Sequence, residues 1–599
     1  MATFRRADQE QMEKAKDLLE APASAEMGFA KSLFFGRLKM QELMPYPKLN
    51  AAEVTRTNDL IQQVGKFLDQ NVDPDQIDKE ERVPPHVMEG LGKLGVLGMT
   101  VPTEYGGGGF SHTAYCRVLE RIARHCGSTA VMVGAHQSIG LKALVLMGNE
   151  SQKRQYLPDL ASGKKLAAFC LSEPEVGSDA ANVQTSGRLS PDGSHWIING
   201  DKKFATNAAL AGMMTVMART PVSENGRTRE KISAFIVTPD LPGFQIVSPN
   251  RSKCGIRGSW QATLKFTDMP VPTDRILGEL GKGLKVALSV LDFGRCTLCA
   301  GCVGGAKKAL QMAVEHARVR VQFGRPIGQF GLVKKMIARM SETVFAMEAV
   351  TYLCAGLVDR HTGDLMLETA IAKLFCSEGS WQVIDDAVQI WGGEGYMRNN
   401  GLERMLRDAR INRIVEGATE VMTAFVALAG MKNVGEEFQG VLHAAKHPIG
   451  QFGRLAQFAG SQWRDIVVGA HAPPLPDELH QEGETLARLT HQFARDVARL
   501  LRTHREGILD LQLVQERVAG AAVDLFVSAA VISRLAGMLE VANGERSESV
   551  QRDVMIGKQF CIHAAERIST RLHGLFVNHD AETLALADEM LEFPPEPKA

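Results

Sequence analysis

Residues 166–208 read "LAAFCLSEPEVGSDAANVQTSGRLSPDGSHWIINGDKKFATNA". Short apolar runs alternate here with Gly, Pro, Asn, Asp and Ser, the punctuation of β-strands joined by turns. The texture continues through "MMTVMART", "KISAFIVTPD", "GFQIVS" and "ATLKFTDMPVP", as far as residue 272. Within it, Asn199-Gly200 reads as the turn of a hairpin.

On both sides the period changes. Residues 59–165, with "LIQQVGKFLDQ" and "RVLERIARHC", repeat apolar positions at three and four, as helices do. The helical period returns at about Gly283 and persists to Lys432. A Pro-rich interruption, "HAPPLPDE", precedes a second helical block that includes "LARLTHQFARDVARLLRTHREGILDLQ" and "AAVDLFVSAAVISRLAGML". Segregated blocks of this kind predict a mainly α protein with a central β domain rather than a βαβ alternation.

The 599 residues are too many for one core, so several domains are expected. With 68 basic and 69 acidic side chains, the net charge of -1 lacks the basic footprint of a nucleic-acid binder. A spanning helix is not expected, since the most apolar run, "DLFVSAAVISRLAGMLEVA", is interrupted by Arg534. The N-terminal residues have neither a signal core nor the acid-poor look of a transit peptide, which predicts an unprocessed, cytoplasmic chain. Cys296, Cys299 and Cys302 lack a second CxxC pair and a fourth ligand. They read as the small-residue face of a buried helix, and no metal is expected.

Three further segments carry chemistry. "FCLSEPEVGSDAANVQT" ends a strand in a polar loop whose Ser172, Gly177, Ser178 and amides could hold a carbonyl or phosphate, though ordinary turn chemistry explains them equally well. "RVRVQFGRPIGQF" breaks a basic helix end at Gly-Arg-Pro. "QIWGGEGYMRNNGLERMLRDARINRIVEGATE" offers three glycines for close backbone approach. A charged ladder, Glu403, Arg404, Arg407, Asp408 and Arg410, then leads to the lone carboxylate of Glu416.

In this order and spacing, "LSEPEVGSD", "INGDKKFATN", "RVQFGRPIGQF" and "GEGYMRNNGLERMLRDARINRIVEG" resemble the acyl-CoA dehydrogenase family, over roughly residues 29–432. "FFGRLKMQELMPYP", "GAHQSIG" and the C-terminal extension are most similar to its very-long-chain branch. The resemblance implies an N-terminal helical domain (51–168), a middle β-barrel domain (169–280) and a C-terminal four-helix bundle (281–435). An N-terminal extension (1–50) and an extra helical domain (436–599) flank them.

The same resemblance implies FAD as cofactor and conversion of long-chain or very-long-chain fatty acyl-CoA to trans-2-enoyl-CoA in β-oxidation. An electron-transfer flavoprotein would accept the electrons, and the chain would form a homodimer. Glu416 matches the base that takes the α proton, while the β hydride passes to the flavin. Its own N–H would help hold the thioester oxygen, and Ile414 and Val415 would exclude water. A minority of the family carries the base beside the arginine of "LDFGR"; here Gly294 fills that place, which favours Glu416. Asp292, Arg295, Gly417 and Ser178 match substrate-lining positions.

For FAD the matching positions are Phe169, Cys170, Leu171, Ser172, Gly177 and Ser178, then Phe204, Ala205 and Thr206. Arg320, Gln322 and Phe323 match residues at the pyrophosphate and adenine. Gln389, Ile390, Gly392 and Gly393 match contacts made from a neighbouring subunit, and Ala418, Thr419 and Glu420 follow the base. Two departures stand out: Phe204 replaces the usual tryptophan, and Ala418 replaces a threonine. An acyl-CoA oxidase or a non-catalytic assembly factor on the same fold remain alternatives, the second disfavoured by the intact Glu416. In the very-long-chain branch the region matching residues 447–468 associates with an inner membrane. Peripheral membrane contact there is therefore an expectation, beside plain core packing, and a mitochondrial setting stays open.

Overall fold

The structure is a computed structural model that describes residues 27–224, 226–360, 364–446, 474–542 and 547–593. In chain order its helices begin with α1 (Phe29–Leu33), α2 (Ala51–Asn71), α3 (Pro74–Glu80), α4 (Pro85–Lys93), α5 (His112–Ala123), α6 (Gly127–Gly134), α7 (Leu141–Met147) and α8 (Glu150–Ala161). Local chemistry sets several starts. Asn50, Asp73 and Ser111 each accept from a backbone N–H of the first turn, and Asn149 and Gln152 form a reciprocal capping box. Residues 135–140, the "AHQSIG" segment, form a π-helical turn joining α6 to α7.

The strands follow: β1 (Leu166–Cys170), β2 (Ser186–Leu189), β3 (His195–Thr206), β4 (Ala211–Glu224), β5 (Arg227–Val237), β6 (Phe244–Ser248) and β7 (Gln261–Pro272). They make one mixed sheet ordered β1-β4-β2-β3-β7-β6, with β5 paired to β4. Side chains alternate between two cores, as the period of two requires. Ala167, Met213, Met217, Ala234 and Ile236 pack against helical residues such as Leu144, Leu157 and Val290. Ala168, Cys170, Met214, Val216, Phe235 and Val237 join Trp196, Leu264 and Phe266 in a core made by the strands themselves.

Asn199-Gly200 is not a hairpin turn, contrary to the sequence reading. It lies inside the continuous strand β3, at a bulge in the ladder with β7. Gly200 has φ +148°, and a Cβ there would stand 2.5 Å from Thr185 Oγ1. The Asn199 amide completes the bulge across the ladder. Its Nδ2 donates to Asp268 Oδ1 (3.0 Å) and its Oδ1 accepts from the Asp268 N–H (2.8 Å).

Three long helices come next: α9 (Gly283–Val319), α10 (Gly331–Asp359) and α11 (Met366–Trp391). They pack on one another, and α9 and α10 also pack on α5. Between α9 and α10 the chain makes a small hairpin of β8 (Val321–Gln322) and β9 (Arg325–Pro326). Helices α12 (Gly393–Tyr396) and α13 (Leu402–Arg410) lead to α14 (Thr419–Lys446). Cys296, Cys299 and Cys302 are buried on α9, as the small-residue reading expects, and burial holds their thiols neutral.

The chain divides into two compact units, one holding Pro47–Thr419 and the other Met27–Tyr46 with Glu420–Ala599. In the second, α15 (His480–His504), α16 (Gln512–Ala542) and α17 (Glu548–Gly574) pack together, and α18 (Asp580–Glu592) follows. A left-handed Arg505 (φ 50°) breaks the helical run that the sequence suggested was continuous. Helix α1 joins this unit through Phe34, edge-on to Phe493 at 5.0 Å. Against expectation, four helical segments are long and apolar enough to cross a membrane: Gly127–Met147, Gly283–Val319, Gly331–Asp359 and Gln512–Val541. Between 61% and 83% of their apolar windows is buried inside the protein. The N-terminal residues 1–26 and the membrane-contact candidate, residues 447–468, lie outside the described residues.

Candidate active site

After α13 the backbone makes a 3-10 turn at Ile411–Arg413 and then reverses. Ile414 and Val415 both donate to Ile411 O, at 2.8 and 3.0 Å. Two left-handed residues follow, Glu416 at φ 54° and Gly417 at φ 100°, before α14 begins. A left-handed glutamate is uncommon, so something must hold it.

Helix α11 does so at three points. Lys373 Nζ donates to Gly417 O at 2.5 Å. Glu378 Oε1 accepts from Arg413 Nε and from Thr419 Oγ1, each at 2.7 Å. The turn is thus pinned on both sides of Glu416. The Thr419 hydroxyl is engaged with Glu378, Ala418 offers none, and Glu420 is exposed in the first turn of α14.

From this turn the Glu416 carboxylate points at α9. A Cβ built on Gly294 would lie 3.1 Å from both carboxylate oxygens and 3.0 Å from Ile139 Cγ2. Oε2 is buried and, among the described residues, has no hydrogen-bond partner. Burial pushes the Glu416 carboxyl up to about 7, against the opposing pull of Arg295 and then Lys373. Ile414 and Val415, expected to exclude water, are 51% and 39% exposed instead. The turn directs the carboxylate inward against α9 at Gly294. Residues adjacent in sequence to Glu416 face out.

One step along α9, Arg295 is buried, with Nη1 3.6 Å from Asp292 Oδ1, which also accepts from Thr369 Oγ1 at 2.7 Å. Burial pushes the Asp292 carboxyl up and the Arg295 guanidinium down.

The end of β1 and the end of β3 come together as the sequence motifs implied. Lys202 Nζ reaches Glu173 Oε1 (2.7 Å) and Leu171 O (3.1 Å), with both charged side chains buried. Glu173 also accepts from the N–H groups of Gln184 and Thr185, and the Lys203 N–H donates to Ser172 O at 2.9 Å. This lattice fixes Phe169–Cys170–Leu171–Ser172 beside Phe204–Ala205–Thr206. Phe204 is left-handed (φ 59°) and 59% exposed, with Lys203 Nζ 4.9 Å from its ring centroid and Thr206 beside Gln261. Gly177 and Ser178 are exposed in the adjoining loop. Cys170 and Ala205 are buried, so any contact they make is through the main chain, and burial pushes the Cys170 thiol up to about 12.

Arg320, Gln322 and Phe323 sit at the β8–β9 hairpin, all exposed, with Phe323 at 92%. Gln389, Ile390, Gly392 and Gly393 end α11 nearby, because His316 and Trp391 stack at 4.5 Å; Ile390 is buried and the other three are exposed. Arg320 lies about 40 Å along α9 from Gly294, and Gln389 lies about 24 Å along α11 from Lys373, at 1.5 Å per residue. The structure therefore does not bring them to Glu416 within one chain. Sequence reasoning missed Lys373, Glu378, Ile139 and the Glu173–Lys202 pair. A charge inside an apolar helical run, "AIAKLF", was the available signal for Lys373.

The acyl-CoA dehydrogenase N-terminal, middle and C-terminal domains match residues 56–164, 168–269 and 281–431, and the ACAD9/ACADV C-terminal domain matches 477–591. The chain is 39% identical over 555 residues to the mitochondrial very long-chain specific acyl-CoA dehydrogenase of Homo sapiens, covering 91% of this chain and 84% of that protein. It is 34% identical over 587 residues to the probable acyl-CoA dehydrogenase FadE10 of Mycobacterium tuberculosis, covering 94% and 88%. Among solved structures it is similar to an acyl-CoA dehydrogenase complexed with FAD from Bacillus anthracis, with TM-score 0.76, 26% identity and coverage of 95% and 96%. The butyryl-CoA dehydrogenase of Megasphaera elsdenii matches with TM-score 0.59 and 32% identity, over 62% of this chain and 97% of that one.

Proposed function

The chain belongs to the acyl-CoA dehydrogenase family, and from that premise we propose that Glu416 is the base that takes the α proton of a fatty acyl-CoA thioester. The activity is FAD-dependent removal of two hydrogens across Cα–Cβ of a fatty acyl-CoA, a step of fatty-acid β-oxidation. The observation that carries the assignment of the base is the Glu416 carboxylate itself: its Oε2 is buried and without a partner among the described residues, and it is aimed at a glycine.

The residues present suit the cofactor. Phe204 presents an exposed ring with Lys203 Nζ 4.9 Å from its centroid, Ser172 and Thr206 lie at the ends of β1 and β3, and Gly177 and Ser178 are exposed in the adjoining loop. When bound there, FAD supplies the acceptor for the β hydride. The chain's own residues do the rest. A carboxyl poised near 7 is substantially ionised at neutral pH and can accept a proton. The α proton is weakly acidic, so the developing enolate oxygen needs donors aimed at it. Among the described residues no acceptor takes the Glu416 N–H, which is therefore free to serve as one. Gly417 leaves space for the thioester, and Asp292 and Arg295 border its approach along α9.

An electron-transfer flavoprotein as acceptor, long-chain substrates and the division at 51–168, 169–280 and 281–435 belong to the same proposal. The last is supported by strands beginning at Leu166 and helix returning at Gly283. A homodimer is supported by the distance along α9. Arg320, Gln322 and Phe323 beyond the end of α9, and the Gln389–Gly393 group at the end of α11, stand away from the Glu416 turn, and in this proposal they serve the partner's flavin. Peripheral membrane contact through residues 447–468 rests on sequence alone, and absence from the lipid fraction in liposome flotation would remove it. Anaerobic mixing of the FAD-loaded protein with palmitoyl-CoA should bleach the flavin and yield a product lighter by two hydrogens. Fast recovery of colour in air would identify an oxidase, and no bleaching would remove the catalytic reading.

A further inference from the structure

Lys373 is fully buried in the middle of α11. Among the described residues it has no carboxylate within ion-pair distance, and its ammonium makes one hydrogen bond, to Gly417 O at 2.5 Å. A buried ammonium is costly to desolvate, and a single carbonyl recovers little of that cost. A neutral donor would tie the carbonyl as well, so the charge calls for another explanation.

The geometry supplies one. The carbonyl that Lys373 holds belongs to the residue directly after the base, in a turn whose two residues are both left-handed. Glu378, five residues along the same helix, clamps Arg413 and Thr419 on either side of that turn. We propose that Lys373 is a positioning residue for the catalytic step: it fixes the Gly417 carbonyl so that the Glu416 carboxylate faces Gly294, and it keeps a positive charge beside that carboxylate. Release of the carbonyl would let the turn relax toward right-handed backbone and swing the carboxylate away from α9.

The titratable and charged groups around Glu416 are Tyr115 on α5, Arg295 and Cys302 on α9 and Lys373 on α11. Burial pushes the phenol and the thiol upward, so both are neutral at pH 7. Two cations remain, and Arg295 is shared with Asp292. Lys373 is the cation not so shared. Its influence is reciprocal: Glu416 opposes the downward push that burial exerts on the Lys373 ammonium.

This inference rests on Glu416 as the base, and its test separates the two claims. Lys373→Met, Lys373→Gln and Lys373→Arg are compared with the parent, all loaded with FAD. One reading is the pH dependence of anaerobic flavin reduction by palmitoyl-CoA. The other is an infrared difference titration of the protonated Glu416 carboxyl, assigned by its loss in Glu416→Gln. Loss of the charge in the Met and Gln variants should raise the Glu416 midpoint by about one to three pH units. Reduction at pH 7 should fall about 10- to 100-fold and partly recover at high pH. The Arg variant should keep the parent midpoint. A folded Met or Gln variant with an unmoved midpoint and parental rate overturns the role of Lys373. If the Met variant does not fold, the Gln variant, which keeps a donor for Gly417 O, decides on the same two readings. Retained reduction in Glu416→Gln would instead overturn the base, whatever Lys373 does.

Discussion

The carboxylate of Glu416 occupies the space beside Gly294 that a side chain would fill, with both oxygens 3.1 Å from where a Cβ would stand. The two residues are 122 positions apart (416 − 294) and meet only because the turn after α13 is left-handed at Glu416. The glycine makes the carboxylate's position possible, and Ile139 Cγ2 would stand 3.0 Å from the same added Cβ.

Gly294→Ala should therefore impair catalysis without removing any reactive group. The methyl would press on both carboxylate oxygens and on Ile139, and overpacking of this kind costs about 1–3 kcal/mol. Flavin reduction by palmitoyl-CoA should slow about tenfold or more, with a lowered melting temperature. An unchanged rate would mean that the carboxylate works from some other position.

Stability should move with pH in a direction set by the same carboxyl. Its folded value, about 7, lies above the ordinary carboxylate value of 4.5. The folded state therefore holds the proton more tightly, and this contribution is full below about 4.5 and lost as pH rises through 7. The difference corresponds to about 3 kcal/mol. Glu416→Gln, which cannot ionise, should gain stability relative to the parent between pH 5 and about 8. Melting temperatures of the pair across that range check this, and a constant difference would contradict it.

The buried Glu173–Lys202 pair should be essential to the loop it anchors. Two opposing effects act on each partner. For Glu173 the pull of Lys202 and its other donors outweighs burial and holds the carboxyl down, whereas for Lys202 burial outweighs Glu173 and pushes the ammonium down. At 2.7 Å, with two backbone N–H groups also on the carboxylate, the charged pair is the state the geometry supports at neutral pH. Lys202→Met would strand a buried carboxylate, at about 3–5 kcal/mol. FAD should be released at lower denaturant than in the parent, because Leu171 O loses the Lys202 ammonium that ties it to β3. The double change Lys202→Met with Glu173→Leu should recover much of the stability, and no recovery would refute the pairing argument.

The dimer proposal predicts complementation. Glu416→Gln and Arg320→Ala each disable a different part of the same composite site, contributed by different chains. Unfolding and refolding the two inactive proteins together should regenerate some flavin-reducing sites, whereas mixing without exchange should not. If the refolded mixture stays inactive while the parent survives the same treatment, each chain completes its own site.

Much of the fold was legible in the sequence because its signals are local. The strand block was bounded within a few residues by Gly and Pro punctuation and by the change from period two to 3.6, at Leu166 and Gly283. What failed was decided by distant partners. Asn199-Gly200 carries the same dipeptide in a hairpin turn and in a bulge, and only Thr185 and Asp268 across the ladder choose between them. The motif singles out Glu416 as the base to propose, but its immediate neighbours Ile414 and Val415 turn outward. Nothing near Val415 announces that the turn faces its carboxylate to a helix more than a hundred residues earlier. Lys373, buried, and Glu378, partly exposed, were hidden for the same reason: their roles show only once the turn they hold is in place.

The central claim is that Glu416 removes the α proton. It is tested most directly by stopped-flow anaerobic mixing of palmitoyl-CoA with the parent and with Glu416→Gln, each loaded to equal FAD content. The parent should bleach in a single turnover, and Glu416→Gln should keep its full flavin absorbance. Bleaching of Glu416→Gln at a rate comparable to the parent would contradict the account and place the base elsewhere.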